Sequence, residues 1–205
     1  MITKELILQT ATNLFVRHGV KTVTVDRIVK ELRTSKRTVY NYFENKPDLL
    51  KACLATYHQK IKNENEAIIQ NAPNAIAALG SMHQEIVRRT YEVNPNFYSD
   101  IKNYYPGLLE ESYRNADKFA HRQIVYIAEW GMGDGIFQKD LDIEVIGKTV
   151  LVLLKLLKNE KLFPSKKYTK ERLTFGTLVP YLRGLCTTKG IKLLQKQEEL
   201  FKISI

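Results

Sequence analysis

Residues 35–43 read Ser35-Lys36-Arg37-Thr38-Val39-Tyr40-Asn41-Tyr42-Phe43, and the rest of the chain is read outward from them. Ser35 has N-cap chemistry, and residues 36–42 suit one short helix. Val39 and Phe43, four apart, fall on one side as core anchors. That turns Lys36, Arg37, Thr38, Tyr40, Asn41 and Tyr42 outward or to the flanks. Such a surface offers a guanidinium fork for guanine or phosphate, an amide for adenine, and phenols that donate to phosphate oxygens. An ordinary solvated face on a small helix accounts for the same pattern, so the flanks must decide.

Upstream, Thr24 can cap a helix reaching about Leu32, with Ile28 and Val29 as its inner face, and Arg33-Thr34-Ser35 form a turn. Two short helices on a tight turn, the second one polar, are what reading a DNA major groove requires. Ahead of them, Leu6, Ile7, Ala11, Leu14 and Phe15 make a one-sided stripe from about Thr3 to Arg17, and Gly19 stops that helix. Downstream, Asn45 caps a long fourth helix over 46–70. Pro47 falls in its first turn, where a missing N–H costs nothing, and Asp48 sits near the positive dipole end.

Further helices are expected over 74–92, 95–103, 106–130, 143–159, 169–186 and 189–201, separated mostly by Pro, Asn and Gly. Pro180 must kink or interrupt the second-last of them. The fold class is all-α: a three-helix helix-turn-helix domain over residues 1–50 and a helical domain over residues 51–205. Net charge is +10. Residues 1–50 carry nine basic and five acidic groups, and residues 158–205 carry eleven and four. Charge alone therefore points away from the head, and the basic tail reads as a lysine-rich solvated face.

The spacing Ala11…Leu14-Phe15…Gly19…Thr22-Val23-Thr24…Ile28-Val29…Leu32…Ser35…Thr38-Val39-Tyr40-Asn41-Tyr42-Phe43…Asn45-Lys46…Leu49-Leu50 resembles the TetR family of transcriptional regulators over about 45 residues. The resemblance implies that Tyr40 and Lys46 contact phosphate and that Thr24 caps the second helix and touches phosphate. It also implies that Thr38 and Tyr42 approach the groove. Tyr40 as half-buried packing stays open. Leu32-Arg33 stands where the family has Ala-Gly, and Arg37 where it has Gly. A non-glycine residue at a left-handed helix end costs on the order of 1–2 kcal/mol, so the turn is expected to be slightly reshaped. Both changes add an arginine beside the groove. The candidate DNA-binding set is thus Thr24, Arg33, Thr34, Ser35, Lys36, Arg37, Thr38, Tyr40, Asn41, Tyr42 and Lys46.

Beyond residue 55 the resemblance thins, though Trp130…Gly133…Gly135-Ile136-Phe137…Asp140-Leu141-Asp142 looks like the family's turn before its last large helices. The 143–157 segment is apolar around most of its circumference, as a helix central in a core or sealed against a partner would be. The family packs its last two long helices as a dimer interface, which implies a homodimer through 143–159 and 169–186. Nine aromatics crowd residues 91–132, where the family surrounds its inducer: Tyr91, Phe97, Tyr98, Tyr104, Tyr105, Tyr113, Phe119, Tyr126 and Trp130. They line an effector pocket or pack the core.

His58, His83 and His121 lack metal-ligand spacing, and no cofactor or metal is expected. Cys53 and Cys186 read as core filler. No phosphate loop, paired catalytic carboxylates or nucleophile elbow appears, so the chain is not expected to be an enzyme. No apolar run reaches the roughly 18–20 residues of a membrane span and no secretory pattern opens the chain, so the expected compartment is the cytoplasm. The expected partners are a double-stranded operator, an unknown small effector and a second copy. The expected function is a ligand-released repressor of a pseudo-palindromic operator. An activator or a protein-triggered regulator is a second reading, and an enzyme using the aromatic cavity a third.

Overall fold

Thr3 opens the first helix by accepting a hydrogen bond from the Leu6 amide at 3.2 Å. That helix, α1 (Lys4–His18), ends at Gly19, whose φ of 83° lies in the left-handed region that glycine enters freely. The structure is a computed structural model that describes residues 2–157 and 159–202, and among these no strand occurs. α2 (Val25–Glu31), α3 (Lys36–Tyr40) and α4 (Lys46–Asn71) follow in the expected order, each begun by the expected cap. Thr24 accepts from the Arg27 amide at 3.2 Å, Ser35 from Thr38 at 3.2 Å and Asn45 from Asp48 at 2.9 Å.

α5 (Ala75–Glu92), α6 (Asn96–Tyr104), α7 (Pro106–Gly133) and α8 (Ile143–Leu156) come next. Asp142 caps α8 by accepting from the Val145 amide at 3.1 Å. Leu157 is the C-cap of α8, and Lys158, within the expected 143–159 helix, lies outside the described residues. The expected 169–186 helix is interrupted, as Pro180 required. It runs as α9 (Lys170–Leu173), a π-helical turn (Thr174–Leu178) and α10 (Val179–Leu185), with Pro180 in the first turn of α10. The last element is shorter than its pattern: α11 (Thr188–Lys196) gives way to a 3₁₀ turn at Glu198–Phe201.

The chain divides into two compact units. The first holds the residues up to Asn63 together with Tyr91–Ala116. Its core joins Ile7, Ala11 and Phe15 of α1, Ile28 of α2, Val39 and Phe43, and Leu49 and Leu50 of α4. That core continues beyond residue 50 into Cys53, Leu54, Phe97, Ile101 and Leu109. Each fully buried aliphatic or aromatic side chain of this kind contributes roughly 1.5–3 kcal/mol.

The second unit holds Glu64–Thr90 and the residues from Asp117 onward. Ile76, Ile124, Ile127, Ile136, Ile146, Leu182, Leu194 and Phe201 build its core. The Gly133–Phe137 stretch makes the expected turn: Gly135 takes φ 65°, and the Ile136 and Phe137 amides return to the Gly131 carbonyl. Phe137 then bridges antiparallel to Cys186.

Candidate nucleic-acid interface

The turn between α2 and α3 keeps its left-handed residue. Arg33 has φ 50°, the one positive φ outside glycine among the described residues. Its amide donates to the Lys30 carbonyl at 3.2 Å and the Thr34 amide to the Val29 carbonyl at 2.9 Å, which closes α2 as a Schellman motif. The reshaping expected from an arginine at a glycine position does not occur. Two hydrogen bonds and the burial of Ile28 hold the backbone there, and the strain is borne locally.

α3 is five residues long rather than seven, because Asn41 serves as its C-cap and the chain turns through Tyr42 toward the buried Phe43. Val39 is buried beneath it as expected. Arg33, Ser35, Lys36, Arg37, Tyr40, Asn41 and Tyr42 are exposed, and Thr34 and Thr38 half-buried. Tyr40 is 46% exposed, so its phenol faces outward rather than into the core. Ser35 and Thr38 join hydroxyls at 3.0 Å. Lys36 pairs with Asp26 at 2.9 Å, and that hydrogen bond holds its ammonium above the ordinary value. An exposed pair of this kind yields readily to a phosphate.

Thr24 is exposed, its hydroxyl oxygen engaged at the α2 cap. Lys46 is directed inward. Its ammonium donates to the Val20 carbonyl at 2.7 Å and lies 5.8 Å from the Phe15 ring centroid. Burial pushes its pKa down, and the Asp100 charge pulls it back up. A phosphate contact by Lys46 requires its ammonium to leave Val20.

The nine aromatics separate. Phe97 is buried and packs edge-on to Tyr98 at 4.9 Å and to Tyr57 at 6.1 Å, and Tyr98 stacks on Tyr113 at 5.8 Å. Beside these rings His58 shares a hydrogen bond with Ser112 at 3.1 Å, and burial lowers its pKa. Tyr105 packs against the first unit's core, Tyr104 stands beside Lys21, and Tyr91 and Tyr126 are exposed. Phe119 is half-buried, and Trp130 packs on the second unit's core.

None of the nine lines an apolar cavity of the second unit formed by Leu79, Ile124, Ala128, Met132, Phe137, Leu141, Ile146, Val150, Leu182 and Leu185. About 10 Å³ there admits the centre of a water-sized sphere, too little for an effector without movement of its walls. Burial raises the Cys53 thiol to about 12 and Cys186 to about 11, so both stay protonated at neutral pH. Among the described residues no His, Cys, Asp and Glu gather as a metal site, and no helix is long and apolar enough to cross a membrane.

Sequence reading passed over Asn94, in the α5–α6 loop, and Asp100 of α6, which hydrogen-bond to the end of α1 and to Lys21 just after it. Asp100 and its partner Lys21 lie 79 positions apart, and no local pattern joins them.

A capped helix pair on a tight turn, with its second helix exposed and polar over two buried anchors, defines a helix-turn-helix DNA-binding head on an all-helical chain. The family model described as bacterial regulatory proteins, tetR family, matches residues 7–53. The chain is 27% identical over 157 residues to the HTH-type transcriptional regulator YhgD of Bacillus subtilis (strain 168), covering 75% of this chain and 79% of that protein. A TetR transcription regulator from Haloarcula marismortui superposes with a TM-score of 0.69 at 19% identity, over 89% of this chain and 97% of that one. A transcriptional regulator from Saccharomonospora viridis, solved in complex with choline, superposes with a TM-score of 0.68 at 20% identity, over 88% and 96%. At those identities the two structures speak for the fold. Over its helix-turn-helix segment the chain is similar to the TetR family of transcriptional regulators, and its all-helical fold matches theirs.

Proposed function

We propose that this regulator is a repressor that binds a pseudo-palindromic operator as a homodimer and is released by a small hydrophobic or planar effector. The observation that carries the reading is the α3 surface, where Arg37, Tyr40 and Asn41 stand exposed over the buried Val39. In this reading Arg37 and Asn41 contact base edges, while Arg33, Thr34, Ser35, Lys36 and Tyr40 hold phosphate and backbone. Thr24, Thr38, Tyr42 and Lys46 line the edges of the same footprint. Residues 1–50 read DNA, and residues 51–205 bind the effector and dimerise. The activity is binding rather than turnover, on chromosomal DNA in the cytoplasm.

The effector site rests on the ring cluster of Tyr57, Tyr98 and Tyr113 around the buried Phe97, whose aromatic area suits a planar or hydrophobic ligand once the rings part. The choline held by the structurally similar Saccharomonospora protein supports ligand binding in this fold. Release follows when the effector favours a head spacing that no longer matches two half-sites on one face of the duplex.

Binding-site selection on the full chain, followed by footprinting, tests the reading. Two half-sites about one helical turn apart, roughly 34–36 Å, are expected. A single asymmetric half-site, or no enriched sequence at all, overturns it.

A further inference from the structure

The end of α1 and the turn after it, residues 16–21, lead into the reading pair and are held in part from outside the matched 7–53 segment. The Asn94 amide donates to the Val16 carbonyl at 2.8 Å, and the Asn94 side-chain amide to the Arg17 carbonyl at 3.2 Å. The Lys21 amide donates to Asp100 Oδ2 at 2.7 Å, a charge-assisted bond on a side chain only 9% exposed. A Cβ at Gly19 would stand 3.0 Å from the same oxygen, so the turn lies close against α6. One turn further along α6, Tyr104 presents its ring 5.7 Å from the Lys21 ammonium. On the other side of the turn, Lys46 of α4 holds the Val20 carbonyl. Backbone groups of residues 16–21 are thus fixed by Lys46 of α4, Asp100 of α6 and Asn94 just before α6.

From this geometry we infer that Asp100 is a positioning residue for DNA binding: its carboxylate fixes the Lys21 amide and so sets the direction in which α2, and α3 after it, leave the turn. The inference rests on the DNA-binding reading above. It runs opposite to simple electrostatics. An acidic group near a DNA-binding surface repels phosphate, so removing it should tighten binding if charge were its only influence. A positioning role demands that its removal weaken binding.

The test uses the full chain, the duplex recovered by binding-site selection on the wild type, and the variants D100A and D100N. Amide hydrogen exchange at Lys21 reads the latch in the absence of DNA. D100A is expected to speed Lys21 exchange at least about tenfold, to leave the α8 amides unchanged and to lower duplex affinity about tenfold. D100N keeps a neutral acceptor of the same length, and its expected effects are about threefold in both measurements. If D100A does not fold, D100N carries the test alone.

Duplex affinity equal to wild type or tighter in either folded variant overturns the inference, as does unchanged Lys21 exchange. A wild-type chain that selects no duplex instead overturns the DNA-binding reading, and the exchange measurement still decides whether the latch exists.

Discussion

Arg33 sits at φ 50°, where an L side chain costs on the order of 1–2 kcal/mol, and two backbone hydrogen bonds keep it there. Glycine at this position removes the strain but frees the unfolded chain, so Arg33→Gly is expected to gain about 0.5–1 kcal/mol net in urea denaturation. If Arg33 holds phosphate as proposed, the same variant should bind duplex more weakly and with a shallower salt dependence. His83 stores a different kind of cost. Thr174 donates its hydroxyl to the Lys170 carbonyl at 2.9 Å, so it accepts from His83 Nε2 at 2.8 Å and leaves Nδ1 an unpaired buried acceptor. The ring is 1% exposed, and burial pushes its pKa down to about 4. An unfolded imidazole titrates near 6.5, so as pH falls the unfolded chain takes up the proton first. Stability is therefore full above about pH 6.5 and declines toward pH 4, by about 2 kcal/mol between pH 7 and pH 5. Burial lowers His58 as well, which acts in the same direction. Denaturation at the two pH values checks this, and His83→Gln should remove the larger share. A flat profile in the wild type contradicts the buried neutral ring.

Element boundaries were legible in the sequence where a cap or stop is local. Thr24, Ser35, Asn45 and Asp142 each bond an amide three residues on, so the signal and the effect lie within one helical turn. Boundaries set by distant partners were not. α3 ends two residues early because Phe43 must reach the core, and α11 ends early because Phe201 must enter the second unit's core. The latch residues Asn94 and Asp100 belong to this second kind. So does Gly190 in α11, the position where the close approach of two segments demands glycine. The Thr187 amide donates to the Ile136 carbonyl at 2.9 Å and the Gln138 amide to the Leu185 carbonyl at 2.9 Å, drawing the α11 start against residues 136–138. A Cβ on Gly190 would collide with the Ile136 carbonyl oxygen, which these bonds prevent from moving. Gly190→Ala is expected to cost about 3 kcal/mol in thermal or chemical denaturation. Gly184→Ala, whose Cβ would meet open space, should stay within about 0.5 kcal/mol. Equal stability of the two variants would mean that the α11 start yields freely.

At the scale of the whole molecule the sequence left α8 with two readings, core centre or partner-covered, and the structure buries one side of the helix and leaves the other exposed. Ile146, Gly147 and Val150 are buried, and Gly147 lets the helix approach α7 until a Cβ would stand 2.8 Å from His121 Nε2. On the remaining surface Val145 is 55% and Val152 57% exposed, seven residues and two turns apart. Two branched apolar side chains in line on an exposed helix face remain in water unless a second surface covers them. A homodimer with this face at its centre buries both pairs at once, because a two-fold axis brings Val145 and Val152 of each copy into one patch. Lys148 stands between the two valines on this face and pairs with Glu144 at 3.0 Å, and Lys155 pairs with Asp117 at 2.5 Å, so both charges next to the valines are partnered within the chain. Val145→Asp with Val152→Asp should therefore leave the fold intact, since neither side chain enters the core, and should shift the chain to monomer in sedimentation at micromolar concentration. Operator affinity should fall by far more than tenfold, because two heads then bind without the linkage that makes the second contact intramolecular. Binding to a single half-site should change little, which separates a lost dimer from a damaged head. Sedimentation of the double variant as a dimer would move the interface to another face of the second unit.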